Sequence, residues 1–158
     1  QSTLDSTKLS PAITAGITEA ADWTLTSGLS SGTNTTLTAN LAQRHYIGSG
    51  MTESSGVFTF PSTGMYLINY IVNGYASAFN RYAGGEISAT TNNSSYSNIT
   101  EGYDNTNNDT SNYFHVSMTC FFDVTNVSTH KVKFLVSAEN DVTVAGSSGM
   151  NFIRLGDT

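Results

Sequence analysis

From Trp23 to the C-terminus, apolar and polar side chains alternate with a period of two, the repeat of a β-strand with one face turned inward. Residues 113–124 show it most cleanly. Phe114, Val116, Met118, Cys120, Phe122 and Val124 fall on one side, and Tyr113, His115, Ser117, Thr119, Phe121 and Asp123 on the other. After a turn at 125–129, Val132, Phe134 and Val136 alternate with Lys131 and Lys133. Residues 56–60 predict a short strand stopped by Pro61, which cannot donate to a ladder. Pro61-Ser-Thr-Gly64 predicts a turn closed by Gly64. Residues 65–73 differ from the rest. Tyr66, Ile68, Tyr70 and Val72 share one face, while Met65, Leu67, Asn69 and Ile71 share the other, so this strand is expected to be covered on both sides. A last strand runs over 149–155, and weaker ones over 23–26, 36–47, 83–90 and 142–145.

Two segments break the pattern. Residues 91–112 are almost entirely Asn, Ser, Thr, Asp and Gly around Tyr96 and Tyr103, and read as one long exposed loop or a ragged edge strand. Residues 1–21 open with a Ser/Thr-rich run. Pro11, Ile13, Ile17, Ala20 and Ala21 follow at a faint helical spacing interrupted by Gly16, which reads as a linker or short stalk. The domain proper is then 22–158. Many short strands with turns between them, and no strong helical period, predict an all-β sandwich or barrel without internal repeats.

The chain has 158 residues, enough for one domain with a real core. Only 11% of them are charged, with 6 Lys and Arg against 12 Asp and Glu. The cations are unclustered, so wrapping nucleic acid and docking on an anionic membrane are both disfavoured. No apolar stretch is long enough to span a bilayer as a helix. Cys120 is the lone cysteine, so no internal disulfide is available; its apolar surroundings predict a buried thiol.

Gly56-Val-Phe-Thr-Phe-Pro-Ser-Thr-Gly-Met-Tyr-Leu-Ile-Asn-Tyr70 resembles the signature of C1q domains, in which a G-x-F-x-x-P-x-x-G-x-Y-x-(aromatic)-x-Y run forms two successive strands. Phe58, Pro61, Gly64, Tyr66 and Tyr70 fall on the matching positions, and Ile68 replaces the usual Phe. Phe152-Ile-Arg-Leu-Gly156 resembles the family's final central strand in variant form. The likeness runs over about residues 23–156 and is similar in style to C1q-like knobs of bacteriophage virion proteins. It implies a ten-stranded antiparallel jelly-roll sandwich of the C1q/tumour-necrosis-factor type, assembled as a homotrimer with one sheet against the threefold axis. Leu67, Ile71, Tyr113, His115, Phe121 and Ile153 are then the candidate trimer-interface residues. The second apolar face of 65–73 points the same way independently, although a loop of the same chain is a rival cover.

Catalytic and metal motifs are weak. Gly28-Leu-Ser-Ser-Gly32 matches the G-x-S-x-G pattern of a nucleophile elbow but lies in a Ser/Gly-rich turn region with no helix expected after it. Gly48-Ser-Gly50 carries Glu53 where a dinucleotide fingerprint needs its third glycine. His45, His115 and His130 lack ligand-like spacing. Glu101, Asp104 and Asp109 offer oxygen ligands for calcium, at a spacing that fits no EF-hand. No catalytic residue, cofactor or resident metal is expected, with calcium as the one alternative. Sequons at Asn34, Asn92, Asn93, Asn98, Asn108 and Asn126 matter only in a secreted eukaryotic setting.

These features predict a non-enzymatic virion structural module: a trimeric knob of a phage fibre, tail or capsid surface, joined to other virion proteins through its N-terminal segment. Tyr96 and Tyr103 are the candidate contact surface toward a host glycan or protein. A knob without any receptor is the plainer version of the same reading. The alternative is an extracellular, secreted C1q-like ligand or recognition module of a cellular organism.

Overall fold

The computed structural model describes residues 16–76, 79–109 and 112–158. Its elements are β1 (Ala20–Leu25), β2 (Leu29–Ser31), β3 (Thr35–Thr36), β4 (Leu41–Ile47), β5 (Thr52–Ser54), β6 (Val57–Thr59), β7 (Gly64–Ala76), β8 (Asn80–Thr90), β9 (Ser97–Asp109), β10 (Tyr113–Val124), β11 (Lys131–Ala138), β12 (Val142–Val144) and β13 (Gly149–Gly156). All pairings are antiparallel, and no helix occurs among the described residues.

The strands form two sheets. The first runs β2-β12-β7-β13-β1-β4, with β10 on the other edge of β7. The second runs β5-β6-β11-β8-β9, with β3 also on β11. The ten strands expected for a jelly roll are β1, β4 to β11 and β13; β2, β3 and β12 are short additions of two or three residues. β13, the last strand, lies between β7 and β1, so the two ends of the domain close the first sheet together.

The inward-facing side chains of the two sheets meet in one aromatic core. Trp23 and Phe58 pack edge to face at 5.2 Å, as do Phe58 and Phe134, and Phe134 meets Phe152 at 5.7 Å. Such pairs each add about 0.5–1.5 kcal/mol beyond the area they bury. The strict alternation of β7, β10 and β11 puts Tyr66, Ile68, Tyr70, Val72, Phe114, Val116, Val132 and Phe134 in this core.

The segment that carried the family resemblance is explained by packing and turn chemistry. Gly64 has φ +135°, and a Cβ there would lie 2.4 Å from the Gly156 carbonyl oxygen, so any side chain is excluded twice. The Tyr66 hydroxyl donates to the Ser62 carbonyl at 3.0 Å, and Arg154 Nε donates to the Thr63 carbonyl at 2.7 Å. Phe58 and Phe60 flank the turn from inside the core.

Three expectations are revised and one open alternative is settled. The 36–47 strand is two strands, β3 and β4, separated by buried Leu37 and by Asn40 at φ +60°. Of the two readings of the Asn-rich segment, the ragged edge strand holds over most of its length: β9 is a 13-residue edge strand paired with β8 with two register shifts. Ala20 and Ala21 belong to β1, so regular structure begins just ahead of the expected boundary at 22; residues 1–15 of the expected linker lie outside the described residues. Cys120 is half-buried rather than fully enclosed, and burial pushes its thiol up to about 11.

Candidate functional site

The outward face of the first sheet is built from the alternate residues of β10, β7, β13, β1 and β4. The cross-strand registers place these residues in levels. At one level stand Phe121, Leu67, Ile153, Ala20 and Ile47, in that strand order. The next level holds Thr119, Asn69, Asn151, Asp22 and His45, and the one after it Ser117, Ile71, Gly149 and Thr24. Toward the far end of β7 and β10, Tyr75 and Tyr113 face each other with ring centroids 6.3 Å apart. An apolar level therefore borders a polar one, and an aromatic pair closes the far end.

The polar level is largely satisfied from within. Asn69 Nδ2 lies within hydrogen-bond distance of Ser117 Oγ, the Met118 carbonyl and Thr119 Oγ1, at 3.0–3.3 Å. Asp22 pairs with Arg44 at 3.0 Å and lies 3.4 Å from His45 Nδ1. Partners already in place lower the cost of removing these groups from water. The apolar groups around them remain exposed: Tyr113 at 81%, Phe121 at 67%, Leu155 at 54% and Ile47 at 49%. This face thus carries several large exposed apolar side chains among polar groups that are largely partnered.

Two hollows indent the face. One of about 280 Å³ lies where Ala20 sits between Ile47 and Ile153, with Tyr46, His45 and Phe152 around it. The other, of about 580 Å³, lies between the tyrosine pair, Ile71, Asn73, His115 and Ser147. All six candidate interface residues named from the sequence, Leu67, Ile71, Tyr113, His115, Phe121 and Ile153, fall on this face. Sequence reasoning missed Tyr75, which continues the Ile71 face at period two, and Ala20, Tyr46 and Ile47, which lie on strands too short or too irregular to carry an alternation.

The second sheet presents a different outer face. Tyr103 stands on β9, 47% exposed, and meets Tyr82 edge to face at 5.3 Å. Tyr96 is half-buried, and Lys133 Nζ sits 3.9 Å above its ring, so its aromatic face is already engaged. Glu86 and Glu101 oppose each other directly across the β8–β9 ladder. Burial, with the Glu101 charge adding to it and a Ser88 hydrogen bond opposing it, holds the Glu86 carboxyl above the usual range.

Two of the three acidic residues weighed for calcium, Glu101 and Asp104, have hydrogen-bond partners within the chain. Glu101 lies on the outer face and accepts from Asn98 at 2.6 Å and Tyr103 at 3.0 Å. Asp104 accepts from the His115 amide at 3.2 Å, closing part of the free edge of β10. Asp109 has its side chain outside the described residues. Among the described residues no group of three His, Cys, Asp or Glu side chains is placed to hold a metal ion. The Gly28–Gly32 pattern sits on and beside β2, with no helix beyond it. His130 is buried between Thr125 and Thr129, at 3.2 and 3.0 Å.

No protein-family model matches the chain, and no curated protein matches it in sequence. Solved structures do match. Murine APRIL at pH 5.0 is similar with a TM-score of 0.66 and 13% identity, over 87% of this chain and 98% of that one. Eiger TNF from S. frugiperda gives 0.64 and 12%, over 88% and 93%. The PRD1 vertex protein P5 gives 0.57 and 15%, over 89% and 99%. At such identities the likeness speaks for the fold. With the two-sheet topology above, it shows that this chain has a jelly-roll fold like that of these tumour-necrosis-factor structures.

Proposed function

We propose that the chain is a non-enzymatic homotrimeric module of a virion surface, a knob of a fibre, tail or capsid whose outer faces are available to a host surface. The observation that carries it is the outward face of the first sheet. That face presents an exposed Phe121 in line with Leu67, Ile153 and Ile47, beside a polar level that is largely hydrogen-bonded already. Such a face gains by burial against copies of itself, at roughly 25 cal/mol per Å² of apolar surface removed from water. The similar PRD1 vertex protein supports a virion setting. The similar APRIL and Eiger structures support the alternative, a secreted ligand or recognition module.

In either setting the mechanism is avidity: three weak outward sites on one rigid body act together. Tyr103 with Tyr82 on the second sheet is the proposed contact surface, and Tyr96 lends support from beneath Lys133. Leu67→Asp tests the oligomer. It places a charge within the apolar level, beside Phe121 and Ile153, without touching the core, so the expected result is loss of the trimer with the β-sheet circular dichroism unchanged. A Leu67→Asp protein that keeps the mass of the wild type contradicts the reading. Co-purification of the chain with particles, against recovery as a free secreted and glycosylated protein, separates the two settings.

A further inference from the structure

The larger hollow of the first sheet sits at one end of the molecule. β1 starts with Ala20 beside Ile153, and β13 ends with Gly156 beside Met65, so the chain enters and leaves the domain at the Gly64 end of β7. Tyr75 and Tyr113 stand at the other end of β7 and β10. Any segment joined to the domain at either terminus therefore departs on the side away from the tyrosine hollow. Tyr113 and Phe121 are eight residues apart on β10, about 27 Å at about 3.4 Å per residue, so burying the Phe121 level does not by itself cover this end.

Inside the hollow the groups are aromatic or uncharged and polar. The rings of Tyr75 and Tyr113, 41% and 81% exposed, form one side, and Asn73, Ser147, His115 and Ile71 complete it. No carboxylate, lysine or arginine among the described residues lines it. Asn73 is held from several sides. Its backbone N–H donates to Ser148 Oγ at 3.1 Å, its carbonyl accepts from the Ala145 amide at 2.8 Å, and its Oδ1 accepts from Ser147 Oγ at 2.9 Å. The backbone is thus fully engaged. The side-chain amide is fixed with Nδ2 as its remaining donor, while Ser147 Oγ keeps its lone pairs to accept.

We infer that this hollow binds a neutral sugar residue of a glycan. A sugar ring has an apolar C–H face, which packs on an exposed tyrosine ring, and a rim of hydroxyls that both donate and accept. A hydroxyl that accepts from Asn73 Nδ2 and donates to Ser147 Oγ extends the existing Ser147–Asn73 hydrogen bond, and each bond of such a chain polarises the next. Partners already fixed in place lose little freedom on binding. An acidic or basic ligand finds no fixed countercharge here, and its desolvation would go uncompensated. An extended peptide finds no free ladder, since β7 and β10 pair with each other across the hollow. The volume of about 580 Å³ falls within the range of about 300–1,000 Å³ usual for small-ligand sites. The inference stands on the hollow alone, apart from the Tyr103 surface and the virion setting; in a trimer, three such sites act together by avidity.

The test is a printed array of neutral and acidic glycans, microbial and animal, probed with the labelled full chain, with light scattering on every variant. Retention is expected on neutral glycans only. Asn73→Asp keeps the acceptor for Ser147 and removes the Nδ2 donor, and Tyr113→Ala removes the most exposed ring of the hollow. Each is expected to lower retention about tenfold or more, while the mass and the unfolding transition stay those of the wild type. Tyr103→Ala, on the second sheet, is expected to bind as the wild type does. Retention of acidic glycans alone, or of none, overturns the inference. So does retention that Tyr103→Ala abolishes and Tyr113→Ala leaves intact, which assigns the ligand to the second sheet. A Tyr113→Ala chain lighter in solution than the wild type also overturns it, because that result places the ring in a contact between copies. A monomeric wild type that still binds neutral glycans supports the inference and removes the trimer.

Discussion

The hydroxyl of Tyr70 is buried in the core and finds no hydrogen-bond partner among the described residues. Burial raises its pKa far above the ordinary tyrosine value, so it stays neutral and simply carries its desolvation cost. Tyr70→Phe keeps the ring against Phe134, at 5.1 Å, and removes that cost. The expected outcome is a gain of about 1 kcal/mol in denaturant unfolding; a loss of that size contradicts the placement of the hydroxyl. Glu86 gives a prediction with a sign in pH. Its folded carboxyl holds its proton more tightly than the unfolded chain does, so its contribution is most favourable below the ordinary carboxylate range. That contribution is lost as pH rises through the raised folded value. Glu86→Gln should therefore be more stable than wild type at neutral pH, with the difference vanishing in acid. A difference that grows on acidification contradicts the account.

At the scale of elements, β8 and β9 show how closely two strands are fitted. A Cβ on Gly84 would lie 1.9 Å from the Gly102 carbonyl oxygen, a backbone atom that cannot move aside without breaking the ladder. Gly84→Ala is expected to destabilise the domain by more than about 2 kcal/mol in chemical denaturation, against a few tenths for a solvated strand position. This pair also marks where the sequence was hard to read. β9 carries Asn, Thr, Glu, Asp and Gly on both of its faces, and register shifts at Asn80/Tyr82 and Ile87/Ser88 break its period. Its strand character comes from pairing with β8, which no local pattern records. β7, β10 and β11 were legible because each has one strictly apolar face. Half of the candidate site was legible for the same reason. The β1 and β4 half was not: a bulge between Asp22 and Trp23 sets His45 and Ile47 opposite Asp22 and Ala20. Only the three-dimensional register reveals Ala20 as the low point between two isoleucines.

For the molecule as a whole, the two sheets divide the work. The second sheet turns outward tyrosines and carboxylates toward solvent, and the first turns outward an apolar face with its polar groups already paired. A net charge of −6 spread over a chain poor in charged residues opposes association only weakly at physiological salt, where surface charges are screened beyond about 8 Å. In the proposed trimer, burial of the first face outweighs that repulsion, and assembly should survive high salt. The most direct test is the solution mass of the purified chain by light scattering, read at low and high salt. The account predicts about three times the 16.8 kDa chain mass at both. A single-chain mass, or a trimer that falls apart on adding salt, contradicts it.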